Sequence, residues 1–170
     1  MQNKKLIYKT VQINTGGFTL IEVLIAVMLV GLAIASLVGA NGVFTQANGA
    51  GTELSTAEFL SEQIRELTTL VPFEDSNGVT PFGPDSGETV SQFDDLGDFD
   101  NAVFSPPIDA QRNPLSYFSQ YSQQVTVENV NPSDFEQVAG DNSTSFIRVT
   151  VKVLRGTDEI CSTSWLRAKY

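Results

Sequence analysis

TGGFTLIEVLIAVMLVGLAIASLVGA, residues 15–40, is the stretch on which the architecture turns. From residue 23 to residue 40 it holds no charged side chain. A helix rising about 1.5 Å per residue crosses a hydrocarbon core of about 30 Å in some 20 residues, so this run is long enough to span a bilayer. Glu22, near its start, is the exception. A carboxylate in hydrocarbon is costly, and an acid inside a membrane segment marks a functional site that needs a partner. No basic residue stands near Glu22 in its own chain.

Outward toward the N-terminus, residues 1–17 carry Lys4, Lys5 and Lys9 and no acid, which places this leader on the cytoplasmic side and everything after Ala40 outside. A secretory signal has a shorter apolar region and is cut on its far side. Here the unhindered backbone, Gly16 and Gly17, lies on the near side. Cleavage there leaves the apolar helix on the mature protein, beginning at Phe18.

GFTLIEVLIA at 17–26 resembles the type III signal and N-methylation motif of type IV pilins and of the pseudopilins of type II secretion. The resemblance covers about the first fifth of the chain closely. It implies that a membrane-embedded prepilin peptidase cuts after Gly17 and methylates the new amine of Phe18, and it aligns Glu22 with the glutamate of the family's assembly stem. It further implies a single-pass inner-membrane precursor that joins other pilin or pseudopilin subunits through its N-terminal helix at an inner-membrane assembly platform. The partner Glu22 lacks is then created by processing. The Phe18 ammonium of a neighbouring subunit, displaced along a filament, meets the carboxylate in a low dielectric. The attraction is strong there, and desolvation takes back much of it, so Glu22 selects register more than it adds stability. The alternative is that Glu22 snorkels to the interface from its place near the helix start.

About 130 residues follow the apolar run, enough for one small domain. Without the leader the side chains amount to 20 acids against 7 bases, a net charge near −13. Nucleic acid is excluded as a direct partner, because phosphate binding needs a basic footprint. One cysteine, Cys161, allows no internal disulfide, whereas many larger pilins close a C-terminal loop with one. With no histidine, zinc sites and Ser-His-Asp or Cys-His catalysis have no basis, so no catalytic residue is assigned.

Residues 41–71 read as a continuation of the helix. Gly39, Gly42, Gly49 and Gly51 each cost up to about 1 kcal/mol of helix propensity. Bending or melting over 39–51 is one expectation, and similar filament proteins loosen their stems there; close packing of neighbouring stems is the other. Beyond Gly51, Leu54, Ala57, Leu60, Ile64, Leu67 and Val71 recur at three- and four-residue spacing with Glu53, Glu58, Glu62 and Glu66 off the stripe, so this face docks the external domain. Pro72 ends it.

Residues 72–117 are rich in turn formers and acids, nine carboxylates against Arg112 alone, interspersed with Phe73, Phe82, Phe93, Phe99 and Phe104. That aromatic content predicts a loop pinned onto the core. Asp94, Asp95, Asp98 and Asp100 are candidate calcium ligands, as major pseudopilins of the family bind calcium in a loop, although DDLGDFD lacks the EF-hand spacing; a solvated acidic loop is the alternative. Residues 118–170 read as a sheet. YSQQVTVENV puts Tyr121, Gln123, Val125 and Val127 on one face, FIRVTVKVL alternates Ile147, Val149, Val151 and Val153 against Arg148, Thr150 and Lys152, and EICSTSWLRAKY follows a turn at 155–158. Cys161 and Trp165 share a face, which suggests packing and not redox chemistry for the thiol.

The expected fold is thus α+β and pilin-like: a long N-terminal helix, half membrane and half amphipathic, packed on a small antiparallel sheet. The helix region QANGAGTELSTAEFLSEQIRELTTLVPFED is most similar to minor pilins of the V type and to minor pseudopilin I. Two functions follow. One is a filament subunit, with no enzymatic activity, assembling through residues 18–40. The other is a membrane-anchored extracytoplasmic module whose acidic loop takes calcium or a protein partner.

Overall fold

The computed structural model describes residues 16–75 and 81–169. The lysine leader, with the topology read from Lys4, Lys5 and Lys9, lies outside the described residues. The chain falls into two units, Met1–Ala47 and Asn48–Tyr170. Helix α1 occupies Leu20–Leu70, followed by strands β1 (Val103–Phe104), β2 (Tyr121–Asn131), β3 (Asp134–Val138), β4 (Phe146–Arg155) and β5 (Asp158–Ala168), with short 3-10 turns at Gly97–Phe99 and Ser116–Phe118.

α1 is helical without a break through Gly39, Gly42, Gly49 and Gly51, so the melting considered over 39–51 is not present. Hydroxyl residues among and just after the glycines bond the preceding turn without breaking the helix: Thr45 Oγ1 donates to the Asn41 carbonyl at 2.9 Å and Thr52 Oγ1 to that of Asn48 at 3.0 Å. Leu, Ala and Met on either side outweigh the propensity lost at isolated glycines. The helix stops before Pro72, and Arg167 of β5 closes its end, donating Nη1 to the carbonyls of Thr68 (2.6 Å) and Val71 (2.9 Å). A cation on orphan carbonyls at the negative end of the helix dipole is the favourable arrangement there.

In the second unit the docking face of α1 buries Ala57, Leu60, Ile64 and Leu67, with Val71 just beyond. Leu54, expected on this stripe, is 44 % exposed. Seven residues bring it within about 20° of buried Ser61 round the helix, so its exposure marks the N-terminal end of the docked stretch and not a change of face. Against this face packs an antiparallel sheet in the order β1-β2-β4-β5, with β3 paired to β2. The register Val125↔Val151 and Val127↔Val149 aligns the inward valines of β2 and β4. Tyr121, Gln123, Val125 and Val127 are buried together with Ile147, Val149, Val151 and Val153. At the β4–β5 turn Gly156 takes a φ of 63°, a left-handed conformation that only glycine adopts without strain.

Two strands were absent from the sequence reading. β1 lies inside the acidic loop, and β3 lies between the two expected strands YSQQVTVENV and FIRVTVKVL. β3 is exposed along its whole length and so has no alternation to betray it. β1 is two residues long.

The loop is pinned by polar groups as well as aromatic ones. Gln123, fully buried, donates Nε2 to the carbonyls of Leu60 (2.8 Å) and Ile108 (3.2 Å) and accepts the Ile108 N–H at 2.8 Å, tying helix, loop and strand at one point. Arg112 donates to the carbonyls of Ser91 and Phe93 at 2.9 and 2.6 Å. Cys161 and Trp165 pack, partly buried, against the core, and the Arg65 guanidinium lies 5.9 Å from the Trp165 ring centroid.

Candidate functional site

The N-terminal motif opens α1. Gly16, Gly17 and Phe18 precede the first helical turn, and Phe18 is 88 % exposed. Thr19 and Glu22 form a capping box: the Thr19 N–H and Oγ1–H donate to Glu22 Oε2 at 2.7 and 2.8 Å, and the Glu22 N–H donates to Thr19 Oγ1 at 3.3 Å. Orphan donors of the helix start are thereby satisfied, and the carboxylate sits at the positive end of the helix dipole. Glu22 therefore has a partner in its own chain, three residues back. The reading that sought only a basic residue missed it, although the signal was present as the T-x-x-E spacing inside GFTLIE. Beyond it every residue from 16 to 52 is exposed, and α1 is long and apolar enough to cross a membrane. About 25 cal/mol is at stake for each Å² of apolar surface left in water, so such a bare surface requires lipid or neighbouring apolar helices around it.

The acidic loop builds a second constellation. Asp98 Oδ2 accepts the N–H groups of Asp94 (2.8 Å) and Asp95 (3.1 Å), while Asp95 Oδ1 accepts those of Gly97 (2.5 Å) and Asp98 (3.3 Å). These reciprocal bonds hold both carboxylates inward, and both residues are buried. Burial, followed by the neighbouring Asp98 charge, pushes the Asp95 carboxyl up to about 6. Gly97 fits here because a Cβ would come within 3.0 Å of Asp95 Oδ1 and of the Phe82 ring. Single oxygens of Glu88, Asp94 and Asp98 lie within 4.8 Å of one another, as do oxygens of Asp75, Asp94 and Asp95.

Of the four aspartates proposed as calcium ligands, three thus come together and one does not. Asp100 turns away to β2, where Oδ1 accepts the Val127 N–H at 2.8 Å. Burial raises its carboxyl above the ordinary range. Its work is to fasten the loop to the sheet. Asp75 and Glu88 join the cluster in its place, and neither was singled out from the sequence. Asp75 is nineteen positions from Asp94 in the chain, and only folding brings them together.

Residues 14–38 match the family model of the prokaryotic N-terminal methylation motif. No curated protein and no solved structure matches the chain. The match covers the glycine pair, the capping box and the apolar helix, and the families that carry this motif supply structural subunits. The motif thus heads one long helix whose far half packs on a small antiparallel sheet, an α+β, pilin-like architecture that supports a pilin-type subunit.

Proposed function

We propose that the chain is a minor pilin or minor pseudopilin, held in the inner membrane with its N-terminus cytoplasmic, cut after Gly17 and N-methylated at Phe18 by a prepilin peptidase. It then joins a type IV pilus or a type II secretion pseudopilus. One observation carries this reading: the methylation motif stands directly ahead of a helical stretch, up to residue 52, in which every residue is exposed and Glu22 is the only acid. Exposed Phe18 and the exposed, non-helical glycine pair before it offer a peptidase an accessible backbone. Helical filaments grow by heterologous contacts that do not close, and a uniformly apolar stem is the surface such packing uses. Mass spectrometry of the mature protein checks it. The expected N-terminus is monomethylated Phe18; a chain retaining residues 1–17, or cut beyond Ala40, overturns the reading.

A second reading is favoured by the convergence of Glu88, Asp94 and Asp98, with Asp75 and Asp95 alongside. Hard oxygen donors at this spacing suit calcium, and an ion there would offset the mutual repulsion of the carboxylates. The chain is then also a calcium-dependent module of the cell exterior. Millimolar calcium should raise the melting temperature of the wild type and leave that of Asp94→Asn/Asp98→Asn unchanged.

A further inference from the structure

An open groove of about 680 Å³ runs beside α1 in the second unit, away from the acidic loop cluster. It is lined by Thr52, Glu53 and Thr56 of α1, by residues 117–121 and by Arg155 at the end of β4. Its volume falls within the range of small-molecule sites. Neither the methylation motif nor the calcium reading uses any of these residues.

The Tyr117 ring is 91 % exposed, yet its orientation is held. It stands edge-on to Phe118, with centroids 5.3 Å apart and planes at 89°. Phe118 is in turn wedged between Phe59 at 6.0 Å and Tyr121 at 6.5 Å. Such a stack fixes an aromatic face toward solvent at little entropic cost, since a Tyr side chain has few rotatable bonds to immobilise.

Around this platform the polar groups are planar and mutually neutral. Glu53 and Arg155 form an ion pair that leaves both side chains partly exposed. Gln120 is exposed beside them and adds an amide with both donors and an acceptor. A polyanion would meet a chain of net charge −10 whose one groove cation is already matched, and an ammonium ligand would have to displace Arg155 from Glu53. The chemistry left is a neutral molecule with one apolar face and hydroxyls round its rim.

We propose that this groove is a binding site for a neutral oligosaccharide, with a pyranose ring stacked on Tyr117 and its hydroxyls bonded by Gln120, Glu53 and Arg155. The site does not depend on processing at Gly17 or on calcium. The test uses the full chain in phosphatidylcholine nanodiscs, free of glycosidic detergent. Cellohexaose, chitohexaose and maltohexaose are the probes and a galacturonate hexamer is the anionic control, read by saturation-transfer NMR and calorimetric titration. At least one neutral hexamer should bind. Tyr117→Ala should weaken it about tenfold. Tyr117→Phe, which keeps the ring, should retain binding. Because Tyr117 is almost fully exposed, the melting temperature of Tyr117→Ala should match the wild type, so that lost binding is not lost folding. The proposal is overturned if no neutral hexamer gives saturation transfer, if the galacturonate hexamer alone binds, or if Tyr117→Ala binds as the wild type does.

Discussion

At Glu22 one carboxylate has a partner in its own chain and room for a second. In the single chain the Thr19 N–H and hydroxyl both donate to Oε2, a local arrangement that makes the acid tolerable at the head of an apolar helix. Under the proposed processing, a Phe18 ammonium would be the stronger partner, a charge against a charge in low dielectric. Because the capping box uses one oxygen, Oε1 remains for the ammonium, and the box aims the carboxylate back toward the chain start. Glu22→Ala should therefore leave cleavage after Gly17 intact and reduce incorporation into filaments; purified filaments holding the variant at the wild-type level would sink the register role. Thr19 carries the readable part of this device, since T-x-x-E ahead of an apolar run signals a helix start. What periodicity cannot show is which donors the acid meets, because hydrogen-bond partners depend on rotamers and not on spacing.

The long helix shows the same division within one element. The Ala57, Leu60, Ile64, Leu67 face follows from 3.6-residue periodicity, whereas its end depends on a residue almost a hundred positions away. Arg167 supplies the C-terminal cap that the local sequence lacks, no basic residue standing in the last turn of α1. Arg167→Ala should destabilise the external domain by about 1–2 kcal/mol, as two carbonyls lose a charged donor, measured by chemical denaturation. Arg167→Lys should recover only part, since one ammonium does not reproduce the guanidinium geometry. β2 and β4 were legible because alternation survives wherever one face is buried. β3 was not, because an exposed strand carries no burial pattern, and Leu54 misled because spacing alone does not say where the buried face ends.

At the scale of the molecule the acidic loop sets the response to pH. The folded Asp95 carboxyl lies at about 6, above its ordinary 3.8, and burial raises Asp100 in the same direction. An acid whose folded pKa is raised binds protons more readily folded than unfolded, so stability falls as pH rises from about 4 to about 6. Acidifying from pH 7 to pH 5 should therefore raise the melting temperature of the external domain, by a few degrees for on the order of 1 kcal/mol. Asp95→Asn, which keeps the acceptor and removes the charge, should flatten that dependence. A wild-type protein equally stable at both values would show that the carboxylate is not held in this environment.

The sequence by itself determined the membrane-length stem, the methylation motif, the docking stripe and the two central strands, because each is written in local periodicity or adjacent residues and each is enforced by burial of one face or by lipid. Only the tertiary structure decided that Asp75 and Glu88 stand with Asp94, Asp95 and Asp98 while Asp100 turns to β2. It alone showed that Gln123 ties three elements, that Arg167 caps α1, and that Tyr117 overlooks a groove beside Glu53 and Arg155. These contacts join residues tens of positions apart. Their partners are chosen by the cost of leaving a buried donor, acceptor or charge unmet, which no window of neighbouring residues contains.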